Sequence, residues 1–254
     1  MKVIGIIPAR YKSSRFEGKA LANILGKPMV QRVYERAIQA QTVDDVIVAT
    51  DDKRIFDCVK SFSGKVIMTS VDCLTGTDRV AEVAADRHGA LSLQDSDIIA
   101  NIQGDEPLLE PAMLDQMIEP FWADPSIQVS TLAQLILSEE DYRNPNVVKV
   151  VTNKNGFAMY FSRSSIPGNK TQKWHESIKS YRHIGLYAYK RNCLLKFIQM
   201  SPAFFEQIEG LEQLRFLENG IPIKVVETQY ATIGVDTPAD LQKVVEVLKK
   251  MDDC

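Results

Sequence analysis

The chain has 254 residues, 45% of them hydrophobic and 25% charged, with 30 Lys and Arg against 33 Asp and Glu for a net charge of −3. That balance excludes a general nucleic-acid binder, which carries a basic excess on one face, and no apolar run approaches the roughly 18 residues a membrane span needs. The four cysteines (Cys58, Cys73, Cys193 and Cys254) form no Cys-x-x-Cys pair and do not cluster with histidine, which argues against a disulfide framework or zinc site.

In chain order, the apolar run at 3–7 reads as a first strand. Pro8, Arg10 and Lys12 follow it too soon for a signal peptide, so a cytoplasmic protein is expected. Strands are also predicted at 46–49, 66–68 and 98–102, each short and rich in β-branched residues. Between them, Val30, Val33, Tyr34, Ala37 and Ile38 recur at helical spacing, predicting a helix over 28–41 with Pro28 at its first position. Further helices are predicted over 52–62 and 77–88. Strand and helix in alternation imply parallel strands with both faces covered.

From Ile127 the texture changes. Strands are predicted at 127–133, 147–151, 157–161 and 183–189, with Asn153-Lys154-Asn155-Gly156 as a turn and 167–179 as a polar surface loop. A final helix is signalled by Thr237, Pro238 and Asp240, with Leu241, Val244, Val245, Leu248 and Met251 as its apolar stripe. The fold class expected is α/β: one domain over 1–254, mostly parallel in its central sheet, with a smaller mixed-sheet lobe embedded at about 127–220.

In open α/β sheets ligands bind beyond the carboxyl ends of the strands, where strand order reverses. Three such ends carry polar clusters. The loop after the first strand holds Arg10, Lys12, Ser13, Ser14, Arg15, Gly18 and Lys19. It reads either as a solvated basic loop or as a triphosphate cradle built from charge-assisted bonds; Walker A spacing is absent. Gln103-Gly104-Asp105-Glu106-Pro107 reads either as a turn or as a carboxylate suited to Mg²⁺. Asp236, just ahead of the last helix, reads either as a helix-start charge or as a second ligand to the same ion.

Taken together, these segments carry a resemblance. They are Pro8-Ala9-Arg10-Tyr11, Ser13-Ser14-Arg15-Phe16, Gly18-Lys19, Gly76-Thr77-Asp78-Arg79, Gln103-Gly104-Asp105-Glu106-Pro107, Tyr160-Phe161-Ser162-Arg163, Arg182-His183-Ile184-Gly185, Leu211-Glu212-Gln213-Leu214-Arg215 and Gly234-Val235-Asp236-Thr237-Pro238. In this order they resemble the 3-deoxy-manno-octulosonate cytidylyltransferases, the CMP-Kdo synthetases of lipopolysaccharide assembly. The resemblance implies a Rossmann-like three-layer nucleotidyltransferase fold and transfer of CMP from CTP to an acidic eight-carbon sugar, Kdo. It implies that Arg10, Ser13, Arg15 and Lys19 hold the triphosphate, Arg79 and Gln103 lie near the cytosine, and Asp105 and Asp236 bind Mg²⁺. It places Arg163, His183, Tyr187, Glu212 and Gln213 at the sugar, with Arg10, Lys19, Asp105 and Asp236 catalytic. A cytoplasmic homodimer is implied as well.

The chain departs from the family pattern at Gly18-Lys19-Ala20-Leu21, where proline usually stands in place of Ala20, and at Ser201-Pro202-Ala203-Phe204-Phe205. Another acidic sugar, 8-amino-Kdo or a sialic acid, is the nearest alternative substrate. A glycosyltransferase would be expected to carry Asp-x-Asp where this chain has Gly104-Asp105-Glu106. A nucleotide-sensing module would release no pyrophosphate.

Overall fold

The β-branched runs become strands and the amphipathic stretches become helices in a computed structural model that describes residues 1–12, 16–86, 89–168, 170–171, 173–175 and 177–252. The elements are β1 (Val3–Ala9), β2 (Asn23–Ile24), β3 (Lys27–Pro28), α1 (Met29–Ala37), β4 (Asp45–Thr50), α2 (Lys53–Ser61) and β5 (Val66–Met68). Then come α3 (Gly76–Ala85), β6 (Ile98–Asn101), α4 (Pro111–Ile118), α5 (Pro120–Ala123), β7 (Val129–Leu135), α6 (Glu139–Arg143), β8 (Lys149–Thr152) and β9 (Ala158–Ser162). The chain continues through β10 (Tyr181–Lys190), α7 (Arg191–Phe197), α8 (Phe204–Glu209), α9 (Leu214–Glu218) and β11 (Ile223–Glu227) to α10 (Pro238–Asp252). It divides into two compact units, Met1–Asp115 with Ala231–Cys254, and Gln116–Tyr230. The lobe expected at about 127–220 falls within the second.

In the first unit, β6, β1, β4 and β5 lie side by side in that order, all parallel. The chain steps outward from β1 to β4 to β5, then returns to the other side of β1 to form β6. Right-handed crossovers make that reversal carry α3 to the face opposite α1 and α2. Both faces of the sheet are therefore covered, and Ile6, Ile7, Val48, Ala49, Ile98 and Ile99 are fully buried. The ends of β1 and β6 define the switch point.

The helices start where their caps dictate. Asp52 accepts from the Arg54 backbone N–H at 2.9 Å to open α2, and Thr75 and Asp78 form a reciprocal capping box on α3. Helix α1 begins at Met29, one residue later than predicted, because Pro28 belongs to β3 with an extended ψ of 147° and serves as the N-cap. Ile38, expected on its buried face, instead caps the helix and is exposed. Strand β1 outlasts its apolar run: Pro8 and Ala9 still register with Ala49 and Thr50 of β4. The last β1–β6 pair is Ile6 with Asn101, so the N–H that Pro8 lacks is not needed on that side. Helix α10 opens as predicted, with Thr237 and Asp240 bonded reciprocally. Its Val244 and Leu248 pack with Ile24, Met29 and Val235; the side chain of Met251 lies outside the described residues.

The second unit orders its strands β11, β7, β10, β8 and β9. Only β11 and β7 are parallel; the other pairs run antiparallel. Strand β11 is not among the predicted strands, since a five-residue run of this composition does not by itself separate from a helix fragment. Within the polar stretch 167–179, Ile178 and Trp174 pack against Ile136 and Tyr142, and the Tyr142 hydroxyl donates to the Pro167 carbonyl at 2.7 Å. Among the described residues no helix is long and apolar enough to cross a membrane.

Candidate active site

The loop leaving β1 folds back through its own aromatic residue. Gly18 adopts a left-handed φ of 70°, and a Cβ there would lie 3.1 Å from the Tyr11 ring, so both conformation and space call for glycine. Its N–H donates to the Tyr11 carbonyl at 2.8 Å, and the Arg54 guanidinium stacks over the same ring, 3.2 Å from its centroid. A single 3-10 turn, Lys19–Leu21, follows. Its bonds, Leu21 N–H to Gly18 and Ala22 N–H to Lys19, do not use the Ala20 N–H, so the turn closes without the proline the family usually carries. This fold-back fixes the backbone of Lys19.

The turn after β6 approaches from the other side of the switch point. A Cβ on Gly104 would come within 2.9 Å of the Pro8 carbonyl, a close approach of two strand ends that only glycine permits. The turn reading of Gly104-Asp105 is thus correct, and the turn is what aims Asp105. Asp105 Oδ2 accepts from Lys19 Nζ at 2.5 Å. The same ammonium lies 3.4 Å from Asp236 Oδ1 and donates to the Val235 carbonyl at 3.2 Å. The Val235 N–H in turn donates to the Asp105 backbone carbonyl at 2.8 Å, locking the approach to α10 against the turn. Asp105 and Asp236, far apart in the chain, meet at one cation.

Beside them a cavity of about 390 Å³ is lined by residues including Arg10, Lys12, Lys19, Gln103, Gly104 and Asp105. Among the described residues its charged lining is three cations to one carboxylate, which selects an anion. Arg10 is exposed and donates to the Leu74 carbonyl at 3.0 Å. Ser13 and Arg15 lie outside the described residues. Arg79 is a residue that the resemblance puts near the cytosine. Its side chain is fully buried, pairs with Asp51 at 2.9 Å and donates to the Thr69 hydroxyl, and it does not line the cavity. It braces the ends of β4 and β5.

The remaining candidates belong to the second unit. In β10, Gly185 and Leu186 are looped out of the β7 register, between the pairs Ile184–Leu132 and Tyr187–Thr131. Such a bulge re-aims side chains, and here the His183 and Tyr187 rings come to 5.3 Å, with Phe161 5.1 Å from His183 on its edge. Burial pushes the His183 imidazole down to about 3, so the ring is neutral near pH 7. The Thr131 hydroxyl donates its one proton to the Leu186 carbonyl at 2.7 Å, so at 3.1 Å it accepts from His183 Nε2. Nδ1 is then the acceptor. Tyr187 stacks on Tyr189, and burial, with the negative charge of Glu212 adding to it, keeps its hydroxyl protonated. Gln213 is buried and its Nε2 has no hydrogen-bond partner among the described residues. Arg163 is exposed, its Nε held by the Glu209 carbonyl at 2.8 Å.

Two groups escape sequence reasoning. The Val235 carbonyl has no sequence signature, because every residue carries one. Lys149 looks like an ordinary strand lysine, yet it is fully buried and donates to the carbonyls of Asn144 and Arg163 at 2.8 and 2.7 Å. Burial lowers its pKa.

A parallel α/β sheet whose switch point holds a cationic cavity and a convergent carboxylate pair is an architecture that binds an anionic ligand such as a nucleotide. The cytidylyltransferase family model matches residues 4–227. A 3-deoxy-manno-octulosonate cytidylyltransferase of Geotalea uraniireducens is 56% identical, covering 98% of this chain and all of that protein. One from Protochlamydia amoebophila is 47% identical, over 99% of this chain and 96% of that protein. The solved structure of a CMP:2-keto-3-deoxy-manno-octonic acid synthetase complexed with CTP superposes with a TM-score of 0.90 at 42% identity, covering 99% of this chain and 100% of that one. A 4-diphosphocytidyl-2C-methyl-D-erythritol synthase, at 14% identity over 97% of this chain and 98% of that one and with a TM-score of 0.65, shares the fold. The chain belongs to the cytidylyltransferases, and among them to the 3-deoxy-manno-octulosonate cytidylyltransferase family.

Proposed function

We propose that this chain transfers CMP from CTP to the anomeric hydroxyl of 3-deoxy-D-manno-octulosonate, giving CMP-Kdo and pyrophosphate. The observation that carries the reading is the convergence of Asp105 and Asp236 on a single cation beside a cavity lined by Arg10, Lys12 and Lys19. Oxygen donors of this kind, two carboxylates and a backbone carbonyl, fit Mg²⁺, which takes one or two carboxylates with substrate phosphates and water. When bound, Mg²⁺ supplies charge neutralisation at the α-phosphate and lowers the pKa of the attacking hydroxyl.

The chain's own groups do the positioning. Arg10, Lys12 and Lys19 balance the triphosphate and the charge that develops on departing pyrophosphate. The family resemblance assigns the triphosphate to Ser13 and Arg15 as well, both outside the described residues. Gln103, lining the cavity, is the candidate for the cytosine edge. In the second unit Arg163 offers a planar guanidinium to the sugar carboxylate, while His183 Nδ1 accepts a hydrogen bond from a sugar hydroxyl. The orphaned Gln213 Nε2 supports a polar ligand there, since a buried donor without a partner is costly. Glu212 and Tyr187 complete the sugar-holding group. A homodimer working in the cytoplasm is part of this reading.

Purified protein given CTP, Kdo and Mg²⁺ is expected to release pyrophosphate and form CMP-Kdo, with 8-amino-Kdo and sialic acid turned over far more slowly. Faster turnover of either competitor would reassign the sugar. Lys19→Ala is expected to lower kcat about 100-fold at saturating CTP, because its charge acts on the leaving group. A change confined to KM would mean that Lys19 only binds substrate.

A further inference from the structure

Lys19 sits where a metal ion would be expected to sit. Among the described residues its Nζ has three oxygens around it, Asp105 Oδ2 at 2.5 Å, the Val235 carbonyl at 3.2 Å and Asp236 Oδ1 at 3.4 Å. An ammonium has three donors and no acceptor, so this oxygen set satisfies it fully. The side chain is only 19% exposed, and its backbone is held by the Gly18 fold-back and the 3-10 turn. Only the flexible four-carbon stem is left to move.

We propose that Lys19 is a resident counter-cation of the carboxylate pair, which a divalent ion displaces, and that the displaced ammonium couples metal binding to CTP binding. This rests on the reading that Asp105 and Asp236 hold Mg²⁺. Two cations sharing one pair of carboxylates repel each other, so a metal entering alone has to drive Lys19 away from its partners. With CTP in the adjacent cavity the ammonium has a triphosphate to go to, beside Arg10 and Lys12. Metal and nucleotide then favour each other's binding by the same factor, as linkage requires. Without nucleotide the aspartates stay neutralised, and the site does not collect divalent ions from solution.

Calorimetric titration of the nucleotide-free full chain with Mn²⁺ tests this. Lys19→Met is expected to bind Mn²⁺ about tenfold or more tightly than the wild type, while Lys19→Arg, which keeps the charge, stays close to the wild type. Lys19→Gln serves as the neutral variant if Lys19→Met does not fold. A neutral variant that binds Mn²⁺ no more tightly than the wild type overturns the proposal. Adding Asp105→Asn to the neutral variant separates the two levels. Loss of the gained affinity locates the ion at the aspartates, whereas unchanged affinity overturns the metal assignment itself and the proposal with it.

Discussion

Asp105→Asn is expected to fold normally and to make CMP-Kdo at least about 1,000-fold more slowly than the wild type, a loss near 4 kcal/mol in transition-state stabilisation. The substitution is nearly isosteric but removes the charge that faces Lys19 at 2.5 Å. Both partners are partly exposed, so the lost ion pair costs the fold only about 1 kcal/mol, and Lys19 keeps the Val235 carbonyl and Asp236. The kinetic effect therefore exceeds the stability effect by several kcal/mol. Steady-state pyrophosphate release beside a thermal melt measures both. Turnover within tenfold of the wild type would remove Asp105 from the metal site and leave the electrostatic account without its centre.

Arg79→Met is expected to destabilise the first unit by about 3 kcal/mol, because breaking a buried pair leaves an uncompensated charge behind. Arg79 is fully buried against Asp51, which is itself 21% exposed. For a chain of this size that corresponds to a fall in Tm on the order of 10 °C. Adding Asp51→Asn should recover part of the loss, since the amide carries no charge in need of a partner. Nucleotide affinity of the folded variant, read at low temperature, is expected to stay within a few-fold of the wild type. A variant of normal Tm that no longer binds CTP would instead place the guanidinium on the nucleotide.

The resemblance grouped Arg79 with the cytosine, and the residue's position in Gly76-Thr77-Asp78-Arg79 offers no hint of enclosure. Its burial comes from β4 and β5, which supply Asp51 and Thr69 at their ends. His183 shows the same limit from the other side. A histidine in an apolar strand is legible as packed, but the acceptor at Nδ1 follows only from the bulge that delivers Thr131 to Leu186. Lys149 has no sequence signal at all. By contrast, Gly104 is legible as a turn glycine, and the structure adds what that turn positions.

The strand–helix alternation from β1 to β6, the α/β class, the capped start of α10, and the cationic loop before Lys19 are readable in the amino-acid sequence. They depend on local terms: side-chain period, cap chemistry and backbone restriction act within a few residues. The meeting of Asp105 and Asp236 is decided only in three dimensions. It requires the chain to cross back over β1, end β6 against Pro8 and return after the whole second unit to bond Val235 to Asp105. Strand order and crossover hand govern that path, and no window of sequence contains them.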